Sequence, residues 1–166
     1  MNASLPTPGR SAAEIVDRLN AQIKPAQPSF FKVACQLPAQ GRIDIPLAAT
    51  PKTTLMLKAY ASGGENELHA HVHEDHMFLV LQGKAAFYGP KGEEHIVGKH
   101  EGVNLPMGTY YWFKSVGDEE LVMVRFGSAM VEQDPRKRIG IDGQPMGGFS
   151  KENKEVPLLL SERIFS

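Results

Sequence analysis

Only one cysteine, Cys35, stands in a chain of 166 residues. A lone thiol forms no internal disulfide, which fits a reducing compartment and excludes a cysteine-rich zinc module. Its neighbours Val33 and Ala34 are apolar, so a buried, inert thiol is expected. A dominant charge is missing too: 18 Lys and Arg against 19 Asp and Glu leave a net charge of −1. Without a basic field, neither nucleic acid nor an anionic membrane surface is an expected partner. Long apolar runs are absent, and no stretch approaches the ~18 residues of a membrane span. The opening MNASLPTPGR lacks the basic start and apolar run of a secretion signal, so a cytoplasmic location is expected. The chain also has no internal repeat, no G-x-S-x-G elbow, no glycine-rich phosphate loop and no cysteine with a base nearby. GPKG and MGG read as turns.

What is present is apolar material, 42% of the residues, enough for one domain with a sizeable core but too little length for two. Residues 1–10 are polar and proline-rich and read as an arm, disordered or draped on a neighbour. SAAEIVDRLNAQIKP predicts a short helix: Ser11 and Glu14 have capping-box spacing, Ile15, Leu19 and Ile23 form a stripe, and Pro25 ends it. From Ser29 to Phe126 short apolar runs alternate with Gly, Pro, Asp and Asn, the rhythm of strands and tight turns. The expected strands are SFFKVAC, TTLMLKAY, ELHAHV, HMFLVLQ, KAAFYG, HIVG, GVNLP, YYWFKS and ELVMVRF. Their connections are too short for helical crossovers, so an antiparallel sandwich or barrel is expected. Beyond Gly127 the text is irregular, with VPLLL as a last strand or helix that covers an edge or meets a second subunit. The division that follows is an arm and helix at 1–28, a β-barrel at 29–127 and a wrapped tail at 128–166. Arm and tail together suggest a homodimer.

Four of the six histidines fall within LHAHVHEDHMFLVLQG, residues 68–83. Strand side chains alternate faces, so His69 and His71 point the same way and can share one ion. The returning strand puts His76, Phe78 and Val80 on one face and Met77, Leu79 and Leu81 on the other. If that hairpin folds onto the barrel interior, His76 closes a three-imidazole site.

This stretch resembles the first motif of the cupins, G-x5-H-x-H-x3 or 4-E-x6-G. Gly63, His69, His71 and Gly83 match in order and spacing, and His76 stands at the glutamate position. The second cupin motif, G-x5-P-x-G-x2-H-x3-N, is matched by Pro106 and Gly108. Tyr111 stands at its histidine position, Ser115 at its asparagine position, and the leading glycine is shifted to Gly102. The resemblance spans about residues 50–127. It implies a mostly β, jelly-roll-like double-stranded β-helix, with metal ligands at His69 and His71 directly and at His76 and Tyr111 by position.

Three neutral imidazoles leave a divalent ion at +2, where a glutamate would lower its charge by one, so the site should favour an anionic ligand. Imidazole is a borderline ligand, which points to Fe, Zn, Ni, Cu or Mn rather than Mg or Ca. Tyr111 has three readings: a ligand, a proton donor to bound substrate, or a pocket wall. Arg125 interrupts LVMVRF and can anchor a substrate carboxylate or form an ion pair at the strand end. Phe78, Val80, Phe113, Leu55, Leu57 and Met123 are pocket walls or plain core. Glu67 and Glu74 can orient imidazole N–H groups from behind. His73 reads as an exposed turn residue ahead of a ligand or ligand-orienting group, His95 and His100 as exposed hairpin residues, and Arg136, Lys137 and Arg138 as a solvated cluster ahead of an anion-binding one. The expected function is a metal-dependent enzyme acting on a small anionic molecule, by dioxygenase-type oxidation ahead of lyase or isomerase chemistry. Its rival is a non-catalytic cupin that binds or senses a small molecule.

Overall fold

The computed structural model describes residues 5–64, 67–129, 138–146 and 156–166. The helix α1 (Ala12–Gln22) starts where the sequence places it, with Ser11 Oγ accepting the Glu14 N–H at 3.1 Å. The Glu14 carboxylate accepts from the Arg10 N–H, at 2.9 Å, instead of returning to Ser11. Only half of the capping box forms. α1 lies on the strand β2 (Arg42–Ala49), where Gln22 Nε2 donates to the Pro46 carbonyl at 3.3 Å. The preceding arm follows the same strand, its Gly9 N–H donating to the Asp44 carbonyl at 2.9 Å. Residues 5–10 are thus held by their own chain.

Five antiparallel strands form the main sheet in the order β2, β3 (Thr53–Tyr60), β10 (Leu121–Ala129), β5 (Glu74–Gln82), β8 (Gly102–Leu105). A second sheet has the order β7 (Glu94–Val97), β6 (Lys84–Tyr88), β9 (Trp112–Val116). Side chains from both fill the space between: Tyr60, Phe78, Val80, Phe87, Phe113 and Met123. This is the jelly-roll-like arrangement expected of a cupin, although among the described residues its ladders do not join into one closed barrel. Alternation along β5 decides what enters. Glu74, His76, Phe78 and Val80 are buried, while Met77 and Leu79 face outward at 54% and 45% exposure.

The outer face of the main sheet is covered by a two-stranded ribbon, β1 (Cys35–Gln40) with β12 (Leu159–Phe165). A second apolar cluster forms beneath it from Cys35, Leu37, Ile43, Ile45, Leu55, Leu57 and Val122. Leu55 and Leu57 therefore belong to this outer cluster and not to the interior wall the sequence reading allowed. The expected strand SFFKVAC meets the observed one only at Cys35, where β1 starts, and Phe30 is exposed. The strand β2 is an addition to the expected set. Asp44 and Pro46 break its apolar pattern, and the ladder to β3 slips between Pro46 and Ala48 to absorb the proline. VPLLL leads into β12, a strand and not a helix.

Two short strands complete the described chain, β4 (His69–His71) and β11 (Arg138–Gly140), which pair antiparallel. On its other side β4 meets Tyr111 through two backbone hydrogen bonds, His69 N–H to the Tyr111 carbonyl and Tyr111 N–H to the His69 carbonyl, at 3.1 and 2.9 Å. Among the described residues no helix is long and apolar enough to cross a membrane.

Phe113 is fully buried and meets Tyr60, Phe78 and Phe87 at ring-centroid distances of 5.4, 5.5 and 5.1 Å. Phe113→Ala is expected to cost about 3–5 kcal/mol in denaturant unfolding, since it empties the space between the two sheets. Burial pushes the Cys35 thiol up to about 11. A thiol reagent at pH 8 should label it only after unfolding, and fast labelling of the native protein would contradict the buried position.

Candidate metal centre

Each strand that builds the site contributes through its inward face. β4 brings His69 and His71, β5 brings Glu74 and His76, β10 brings Arg125, and β11 brings Arg138. His71, Glu74 and His76 are buried, with one ligating atom from each within 4.8 Å of the others. Glu74 Oε2 lies 2.8 Å from His76 Nε2 and 3.9 Å from His71 Nδ1. His71 and His76 have ring centroids 4.0 Å apart, and His69 sits 5.2 Å from His71. Two imidazoles and a carboxylate suit a divalent transition ion, whereas a hard cation would seek an all-oxygen shell. The donor set fits a metal.

The sequence reading takes His69, His71 and His76 as the ligands, with Glu74 orienting an imidazole N–H from behind; the buried group joins the Glu74 carboxylate to His71 and His76, with His69 beside it. That reading puts Glu74 in the turn, whereas β5 begins at Glu74 and carries it inward two positions before His76. Same-face alternation was the available signal. Gly127, opposite His76 in the ladder, makes the room: a Cβ there would collide with the Glu74 carboxylate and lie 2.7 Å from Thr54 Oγ1. His73 is half-buried and lies outside the ligand group, and His95 and His100 are exposed.

Second-sphere contacts orient the rings. His69 Nδ1 lies 2.9 Å from the Glu67 carbonyl oxygen, which can only accept, so Nδ1 carries the proton and the Nε2 lone pair points the other way. Glu67 thus acts through its backbone. His76 Nε2–H donates to Glu74, and in the neutral ring the Nδ1 lone pair accepts from the Tyr111 hydroxyl at 3.1 Å. Tyr111 is buried and also lines a cavity of about 660 Å³ with Phe87, Tyr88, Val97, Leu105 and Tyr110. Phe78, Val80 and Phe113 pack in the interior core beside it.

Two guanidinium groups flank the cluster. Arg125 Nη2 lies 3.8 Å from Glu74 Oε1 and 3.3 Å from Thr54 Oγ1, and Nη1 lies 3.4 Å from His76 Nε2. Arg138 Nε donates to His71 Nε2 at 3.3 Å. The latter residue, read from sequence as part of a solvated cluster, is a site residue by position; Arg136 and Lys137 lie outside the described residues. Burial pushes the Glu74 carboxyl up, but Arg125 and the hydrogen bond from His76 outweigh it and hold the group below the usual range. Burial, with His76 and Arg138 adding repulsion, pushes the His71 imidazole far down, so it is neutral. Its 3.9 Å approach to Glu74 is therefore proximity and not an ion pair. The Glu74 carboxylate is thus flanked by the guanidinium of Arg125, with that of Arg138 on His71.

Residues 56–126 match the family model described as Cupin domain, and that stretch is a cupin domain. No match is found among curated proteins. Among solved structures the fold is similar to KdgF from Halomonas sp., at 19% identity over 63% of this chain and 96% of that one, TM-score 0.52. It is also similar to a PAC13 variant from Streptomyces solved with uridine, at 14% identity over 75% and 95%, TM-score 0.53. A third is a Ralstonia eutropha protein suggested to be a mannose-6-phosphate isomerase, at 13% identity over 62% and 100%, TM-score 0.55. At these identities the likeness is one of fold.

Gly127→Ala should displace the Glu74 carboxylate without touching a ligand and lower metal affinity about tenfold or more by calorimetry. The folded-state value of His71 is depressed below the ordinary ~6.5. Its contribution to stability is thus complete above about pH 6.5 and lost as pH falls, because the unfolded chain takes up the proton first. Chelator-stripped protein should accordingly lose stability from pH 7 to 5, and His71→Asn should flatten that interval.

Proposed function

We propose that the protein is a metal-dependent cupin enzyme that acts on a small anionic organic molecule, with proton transfer as its leading chemistry. His71, Glu74 and His76 would hold a divalent transition ion (Fe, Zn, Ni, Cu or Mn), with His69 alongside. The observation that carries this reading is the line of hydrogen-bonding groups from the Tyr111 hydroxyl through His76 to Glu74, joined to a cavity at Tyr111. A bound ion of this class supplies Lewis acidity to a substrate oxygen. Tyr111 holds a proton at the cavity wall; were His76 to give its one lone pair to an ion, the Tyr111 hydroxyl would lose that acceptor and turn its proton to the cavity. Arg125 offers a guanidinium to the substrate's charged group, and Phe78, Val80 and Phe113 keep water from the inner end. Proton transfer under these conditions means isomerase or lyase chemistry.

Oxidation by dioxygen is the second reading, favoured by His69, whose ring 5.2 Å from His71 offers a third imidazole. Oxygen uptake with turnover would select it; incorporation of solvent deuterium into substrate would select proton transfer. The non-catalytic alternative would bind its ligand without metal. A homodimer in a reducing compartment belongs to the same proposal, supported by the outward Met77, Leu79 and Phe126 and by the single buried cysteine. Light scattering tests the first of these.

Protein purified without an affinity tag should contain close to one transition ion per chain by elemental analysis. His71→Ala or Glu74→Ala should lose it. A protein that purifies metal-free and binds anions equally well after both changes would overturn the enzyme reading. Once a turnover assay exists, Tyr111→Phe should lower the rate about 10²–10⁴-fold with the ion retained.

A further inference from the structure

β11 is the stretch of chain that reaches the histidines from far along the sequence, and Arg138 is its contribution. The residue stands opposite His71 in the ladder, is half-exposed, and donates from Nε to His71 Nε2 at 3.3 Å. A neutral imidazole has one protonated nitrogen and one lone pair. On His71 the lone pair is at Nε2, facing Arg138, so the proton is at Nδ1, which makes no hydrogen bond among the described residues.

An ion held between His71, Glu74 and His76 needs that lone pair. If it takes Nε2, it occupies the place of the Arg138 donor. If it takes Nδ1, the proton moves to Nε2 and meets the Arg138 N–H donor to donor. Either way the guanidinium must leave. The backbone of β11 need not follow, because its ladder to β4 and the Tyr110 hydroxyl donating to the Gly140 carbonyl at 3.2 Å hold it in place. Only a half-exposed side chain swings.

We propose that Arg138 is a metal-released anion anchor: an ion bound at His71 frees its guanidinium, which then grips a carboxylate of the substrate. The inference rests on the metal reading above. Displaced from an imidazole, the planar fork of the guanidinium matches a carboxylate with two parallel hydrogen bonds. The Arg138 guanidinium has no other hydrogen-bond partner among the described residues, and the carboxylate of Glu74 is already shared by His76 and Arg125. The substrate class is then a small organic acid that binds after the metal, with Arg138 deciding between an acid and its neutral amide.

The test uses the full chain, stripped of metal, with Zn²⁺, malonate and malonamide as probes. The Nε–H resonance of Arg138, assigned by its loss in Arg138→Met, should move on Zn²⁺ addition to the position of an unbonded guanidinium. Malonate should bind the Zn²⁺-loaded protein at least tenfold more tightly than the stripped one, and malonamide should show no such gain. Arg138→Met should keep its Zn²⁺ and lose at least tenfold in malonate affinity. Zn²⁺ bound with the Arg138 resonance unmoved, or malonate affinity indifferent to Arg138→Met, overturns this proposal alone. Failure of the wild-type chain to bind Zn²⁺, Mn²⁺ or Fe²⁺ at all overturns it together with the metal reading.

Discussion

The Glu74 carboxylate, 4% exposed and 2.8 Å from His76 Nε2, is the constraint around which the interior is arranged. A charge withdrawn from water is tolerable only when its oxygens find donors. Those donors come from separate strands: His76 from β5 itself and Arg125 from β10, with Thr54 of β3 steadying the guanidinium. Gly127 supplies the volume. Removing either His76 or Arg125 would leave the buried charge with less compensation, so the main sheet and the polar cluster specify one another.

The polar end and the apolar end of the interior are made by the same alternation. Along β5 the inward residues change from Glu74 and His76 to Phe78 and Val80, and along β10 from Arg125 to Met123 and Leu121. Register between the two strands sets Arg125 against Phe78 and Gly127 against His76. Polar groups are thereby collected at one end, where their mutual hydrogen bonds strengthen in a dry surrounding. Tyr111 spans the boundary, its ring near Phe78 and Phe87 and its hydroxyl on His76.

How much of this was legible in the chain depends on how local the signal is. β3, β6 and β10 follow from alternating apolar residues bounded by turn formers, and His69, His71 and His76 from parity. β2 escapes because Asp44 and Pro46 interrupt its pattern, and only a bulge opposite β3 reconciles them with a strand. Glu74 reads as turn because HED follows a short strand; what carries it inward is the ladder to β10, which begins at Ala129 opposite Glu74. Arg138 is the least readable. It reaches His71 across 67 positions, through a pairing of two three-residue strands that no local pattern announces. The inward Arg125, conspicuous in an apolar run, was readable for the opposite reason: its burial contradicts its charge, and such contradictions collect at functional sites.

β4 is only three residues long, and both of its flanks are borrowed: Tyr111 closes one and β11 the other. The stretch matching the family model, residues 56–126, contains the first flank and not the second. The domain boundary drawn by family likeness therefore cuts through the support of its own histidines. The chain beyond the matched stretch closes the second flank of β4, so a change in β11 can reposition His69 and His71 while every matched residue stays as it is.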